Sequence, residues 1–194
     1  GDFDEAARLQ RESIRLHEER GGAPTREYAD VVNNRAITLD RKGEFEEAEA
    51  LYRRSLANYR ELLGDEHPNV ATTLGNLGVM LLDTKGPEAA EPLVREALVL
   101  RRKALGDHPD TASSLASLGQ ILGRLGDYEA GADLLREALE MQRRFLGSDH
   151  PTVGSALVGL AWQERWAGKL DDAETHFREA IAILREMDAD AKPA

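Results

Sequence analysis

A chain of 194 residues that is 41% hydrophobic but only 5% aromatic has material for a core of Leu, Ala, Val and Ile rather than of rings. Its formal charge of −11 opposes phosphate backbones and anionic lipid, so neither nucleic acid nor membrane is an expected partner, and no apolar run approaches the roughly 20 residues that cross a bilayer. With no cysteine, disulfides, thiolate catalysis and Cys-ligated zinc are excluded, and a reducing, cytoplasmic setting is expected.

The first predicted element is a helix over about 3–20, opened by Gly1-Asp2-Phe3-Asp4-Glu5-Ala6. That opening reads as a turn inside a repeat, so the chain is expected to be an excerpt of a longer protein. No stretch has the make-up of a signal peptide. The turn returns at Gly43-Glu44-Phe45-Glu46-Glu47-Ala48, then at Gly126-Asp127-Tyr128-Glu129-Ala130 and Gly168-Lys169-Leu170-Asp171-Asp172-Ala173. Between the turns the pattern predicts helix pairs at about 25–42 with 44–63, 68–85 with 87–105, 109–125 with 127–146, and 151–167 with 169–187. A tail over 188–194 follows. The whole is one array: a half repeat (1–20, second helix only) and full repeats at 25–63, 68–105, 109–146 and 151–187.

Other motifs keep the same phase. His67-Pro68, His108-Pro109 and His150-Pro151 recur at steps of 41 and 42 residues, each after a Leu-Gly pair at Leu63-Gly64, Leu105-Gly106 and Leu146-Gly147. Pro suits the first helical position, where its missing N–H is no loss. The Gly after each second helix is expected to take the left-handed cap conformation. Small residues recur where two helices must meet: Ala36, Gly78, Gly119 and Ala161 in the first helices, and Ala48, Ala90, Gly131 and Ala173 in the second. There the backbones can approach and flanking Leu residues interlock.

A small residue before Leu-x-x-Leu-Gly, the Gly-x-Tyr/Phe-x-x-Ala turn and the aromatic-x-x-Ala of the second helix resemble the tetratricopeptide repeat. The 42-residue period, with Leu-Gly-x-x-His-Pro-x-Val-Ala-Thr-Thr-Leu-x-Asn-Leu at Leu63 to Leu77, is similar to the longer variant of kinesin light chains. The resemblance implies an all-α, right-handed α-solenoid of antiparallel helix pairs, with four and a half repeats and the first helices lining a concave wall. It also implies a protein–protein interaction module, part of a larger regulatory or adaptor protein, that binds a peptide or partner segment such as a short linear motif with acidic or aromatic residues. Three places depart from the pattern: Lys85-Gly86-Pro87 lacks the turn aromatic, Arg35 stands where Leu77, Leu118 and Leu160 stand later, and Gln10 replaces the residue at Tyr52, Val94, Leu135 and Phe177.

Helical phase places one set of residues off the packed face of the first helices. The candidate peptide-binding groove is Asn33, Asn34, Thr72, Asn76, Val79, Ser117, Gln120, Arg124, Trp162, Arg165 and Trp166, with Asp30 and Ser113 in the same phase. Asn and Gln both donate and accept, matching the alternating groups of an extended backbone. Arg124 and Arg165 suit a carboxylate, and Trp162 with Trp166 an anchor side chain. Each residue also has a plain structural use. Asn on a helix is often solvated or capping, the two Trp residues can pack on each other or on a following repeat, and Arg165 can pair with a nearby Glu.

No catalytic constellation stands out, so no enzyme, cofactor or metal is expected. The three phased histidines are expected at the bend before each first helix, about 10 Å apart in stacked repeats and too far to share one zinc. The Glu-rich stretches read as solvated faces. A second reading is a structural scaffold that self-associates through repeat ends or convex faces, for which Phe3, Ala6 and Leu9 at one end and the region after Met187 at the other are candidates.

Overall fold

Each first helix is started by a side chain that satisfies an end N–H. Thr25 Oγ1 accepts the N–H of Tyr28 at 3.2 Å. His67, His108 and His150 do the same with ring Nδ1, accepting from Asn69, Asp110 and Thr152 at 3.1, 3.1 and 3.2 Å. Pro follows each His at the first helical position. The phased His-Pro is therefore a cap as well as a bend.

The protein, seen in a computed structural model that describes residues 2–19 and 21–190, is helical in every regular element among those residues. The helices are α1 (Asp2–Glu19), α2 (Arg26–Lys42), α3 (Phe45–Leu63), α4 (Pro68–Thr84), α5 (Pro87–Leu105), α6 (Pro109–Arg124), α7 (Tyr128–Leu146), α8 (Pro151–Trp166) and α9 (Leu170–Asp190). This is an all-α repeat fold. Helix α9 runs past the expected end at 187, and residues 191–194 lie outside the described residues, as do the side chains of Phe3, Ala6 and Met187.

The turns within a pair behave as expected: Gly43 is left-handed (φ 79°, ψ 14°), and Glu44 N–H returns to Leu39 O at 2.9 Å. Two of the turns after the second helices do not. Gly64 and Gly147 have positive φ (86° and 88°) but extended ψ (162° and 155°), a region open essentially to Gly alone. The chain leaves these helices by extending toward the His cap instead of curling over the helix end. The irregular turn still closes, with Lys85 and Gly86 N–H both bonded to Leu81 O.

The chain divides into two compact units, Gly1–Leu100 and Arg101–Ala194, the division falling within α5. In the first, Ala29, Leu56, Tyr59, Val70, Leu74 and Ala97 form a buried cluster. In the second, Ala132, Leu135, Leu139, Val153, Leu157, Leu160, Ala180 and Ile183 do so. Burying one such Leu contributes about 1.5–3 kcal/mol. The small residues sit where the pattern put them. A Cβ on Gly78 would lie 2.5 Å from Val94 Cγ2, and one on Gly131 would lie 2.8 Å from Gly119 O. Ala36, Ala48, Ala90 and Ala161 are fully buried.

Two polar features join the helices. Arg60 pairs with Glu96, Arg102 with Glu137, and Arg143 with Glu179, linking successive second helices in repeat phase. Such exposed pairs contribute little energy individually, about 0–1 kcal/mol, and set register more than strength. In the second unit Glu164 is buried, with His176 Nδ1 at 2.7 Å and Arg136 Nε at 3.5 Å. Arg35 is buried as well, with its guanidinium 3.6 Å from Glu47, so the departure at that core position is met by an outward-reaching charge.

Candidate functional site

None of the eleven candidate residues is buried. Asn33, Asn76 and Ser117 are half-buried, and Asn34, Thr72, Val79, Gln120, Arg124, Trp162, Arg165 and Trp166 are exposed. Helical phase holds because the opposite faces are occupied by Ala, Leu and Val packed at the small-residue crossings.

In the first unit, α2 and α4 run side by side and α3 backs them. Asn33, Asn34 and Thr72 line a cavity of about 290 Å³ together with Asp30, Tyr59, Asn69 and Thr73. Tyr59 reaches in from α3 and donates its hydroxyl to Asp30 Oδ1 at 2.6 Å. Burial first, and that hydrogen bond second, push the Tyr59 hydroxyl well above its ordinary pKa, so it stays a donor at physiological pH. Thr73 donates to Asn33 Oδ1 at 3.2 Å, tying α4 to α2. Asn76 and Val79 continue along α4 outside this lining.

Helical phase did not single out Tyr59, Asn69 or Thr73 for the cavity. A signal existed for the first. His17, Tyr59, Arg101 and Gln142 share one repeat position on otherwise apolar second-helix faces. At two of them the polar group reaches a first helix: Tyr59 to Asp30, and Arg101 to Ser114 Oγ at 2.7 Å.

Farther along α2, Tyr52 donates to Asp40 Oδ2 at 3.3 Å. Burial raises the Asp40 carboxyl above its ordinary value, the Tyr52 bond and Arg41 oppose this, and Asp83 adds to it. A carboxyl raised in the folded state is penalised once ionised. Its favourable contribution is complete below the unfolded value and is lost as pH climbs through the folded one. Asp40→Asn keeps an acceptor for Tyr52, so at neutral pH it is expected to raise stability by about 0.5 kcal/mol or less after solvent screening. Urea unfolding from neutral to acid pH checks this. The gain shrinks to nothing below the carboxylate range, whereas a gain that grows on acidification contradicts it.

In the second unit the face of α8 carries rings. Trp162 and Trp166 have centroids 5.6 Å apart, Tyr128 lies 5.6 Å from Trp166, and Phe177 meets Trp162 edge-on at 5.3 Å. Both Trp rings stay open to solvent, at 42% and 54%. They thus pack on each other and on two neighbours while keeping accessible surface. Arg165 lies over Trp162, its guanidinium carbon 5.9 Å from the ring centre. No group of three or more His, Asp or Glu residues able to hold a metal occurs among the described residues. No described helix is long and apolar enough to cross a membrane.

Comparison with known proteins places this geometry. No curated protein matches the chain by sequence. Among solved structures, BtubC (BKLC) of P. vanneervenii is similar at 25% identity and TM-score 0.84, over 100% of this chain and 77% of that one. A kinesin light chain-type protein of Podosopora anserina with nearly identical TPR-like repeats is similar at 19% identity and TM-score 0.81, over 97% and 90%. MamA is similar at 17% identity and TM-score 0.67, over 100% and 88%. The family model of the tetratricopeptide repeat matches residues 1–61, 27–103, 87–141 and 110–186. With every repeat so matched, and with kinesin light chain-like arrays among its structural neighbours, the chain belongs to the tetratricopeptide repeat family.

Proposed function

We propose that this chain is a protein-interaction module that receives an extended peptide or partner segment on the exposed faces of its first helices, as an adaptor without catalysis of its own. The observation that carries the reading is the cavity of the first unit, where Asn33 and Asn34 of α2 and Thr72 of α4 come together. Amides and hydroxyls that donate and accept suit a peptide backbone, which has no fixed side-chain chemistry to offer. Trp162 and Trp166 supply large apolar surface for an anchoring side chain, the residue type that dominates binding energy at interfaces. Tetratricopeptide repeats generally serve protein interaction, and the negative charge, with no Cys, fits a cytoplasmic protein partner rather than nucleic acid or lipid.

The test uses the 194-residue chain and a peptide selected against it from a random display library. Asn34→Ala with Asn76→Ala, and separately Trp162→Ala, should each weaken that peptide about tenfold, near the 1.4 kcal/mol of one good contact, with the mass in solution unchanged. A second reading, assembly through repeat ends, is favoured by Leu9 at 54% exposure on α1 and Ile181 at 48% on α9. It prevails if those variants bind normally while Leu9→Glu or Ile181→Glu dissolves an oligomer.

A further inference from the structure

The cavity of the first unit has one lining residue with a formal charge, and that charge fixes what it accepts. Amides and hydroxyls can turn to present either a donor or an acceptor, so Asn33, Asn34, Asn69 and Thr72 adapt to either sign of guest. Asp30 cannot. Its Oδ1 is held by the Tyr59 hydroxyl at 2.6 Å, which fixes the carboxylate at the cavity wall. Among the described residues that line the cavity, none is Lys or Arg. The chain as a whole carries −11.

We propose that this cavity takes a cationic side chain, the ammonium of Lys or the guanidinium of Arg, from the segment bound by the first unit. The assignment deepens the peptide-binding reading and rests on it. Asp30 supplies the charge, Tyr59 positions Asp30, and the amides accept the remaining N–H groups of the guest. The backbone on either side of that guest residue then lies along Asn34 and Asn76. Partner segments with Lys or Arg are admitted, and those with Glu or Asp at the same place are repelled.

The test follows the side-chain amide signals of Asn33, Asn34 and Asn69 by NMR in the full chain. The probes are Nα-acetyl-lysine N-methylamide, its norleucine counterpart of similar stem, and its glutamate counterpart. The lysine probe is expected to shift these signals saturably, and the norleucine probe to bind roughly fivefold more weakly, the weight of one partly exposed ion pair. Asp30→Asn should bring the lysine probe down to the norleucine level. Tyr59→Phe, which loosens the carboxylate but keeps its charge, should retain a lysine preference. Equal response to norleucine or glutamate, an undiminished lysine response in Asp30→Asn, or no response to any probe overturns the assignment. Loss of the library-selected peptide in Asn34→Ala with no lysine preference refutes the cation assignment alone. Normal binding of that peptide refutes the groove reading itself.

Discussion

Gly119→Leu is expected to destabilise the second unit by about 3 kcal/mol, at the top of the usual range for overpacking. A Cβ at Gly119 would stand 2.8 Å from Leu135 Cγ and 2.9 Å from the carbonyl oxygen of Gly131. The Leu side chain can shift, but the backbone carbonyl of α7 can move only with its helix. Even Gly119→Ala should therefore lose about 1 kcal/mol, although Ala is the better helix former by a similar amount. Gly159, also within a first helix, has nothing within 4 Å of an added Cβ. Gly159→Ala should gain about 0.5–1 kcal/mol from helix propensity alone. Urea unfolding of the three variants separates close packing from propensity. Similar midpoints for Gly119→Ala and Gly159→Ala would show that α6 and α7 do not need the glycine.

That contrast shows what could be read from the sequence. The positions of Ala36, Gly78, Gly119 and Ala161 announce a helix crossing because period and size coincide, and a crossing fixes which faces turn outward. That eight of the eleven candidate residues are exposed and none is buried follows from that alone. What was not legible arises from how consecutive helices cross and how the chain leaves them. Tyr59 and Asp30 meet across α2 and α3, and although each holds a repeat position, the residue types at those positions vary and do not announce the pairing. The extended ψ of Gly64 and Gly147 was hidden because a glycine after a helix is compatible with two exits, and the residue type does not choose between them. Trp162 was legible as exposed and as a candidate neighbour of Trp166, but its contact with Phe177 was not, since that depends on how α8 crosses α9. The sequence pattern thus located the faces, while the fixed charge within one of them emerged from packing.

The same logic applies to Glu164 and His176, where replacing both residues is expected to do less harm than replacing one. Leu39, Leu81 and Leu122 occupy the place of Glu164 in the other repeats, and Leu51, Leu93 and Leu134 the place of His176. Glu164 is only 1% exposed, with His176 Nδ1 at 2.7 Å and Arg136 Nε at 3.5 Å. His176→Leu leaves the carboxylate buried with one distant cation and should destabilise by about 3 kcal/mol, the usual result of orphaning a buried charge. Glu164→Leu leaves a ring that still reaches solvent at 23% exposure, so its loss should be about 1 kcal/mol or less. The double variant restores the Leu–Leu pairing of the other repeats and should equal or exceed the parent by up to about 2 kcal/mol. Unfolding free energies of the four proteins close the cycle, and a coupling of about 3 kcal/mol or more is expected. Strictly additive losses would mean that the two side chains are stabilised separately, one by Arg136 and the other by water. Strong coupling would mean that the pair marks this repeat chemically while contributing little net stability, since a purely apolar contact at the same two positions holds the helices at least as well.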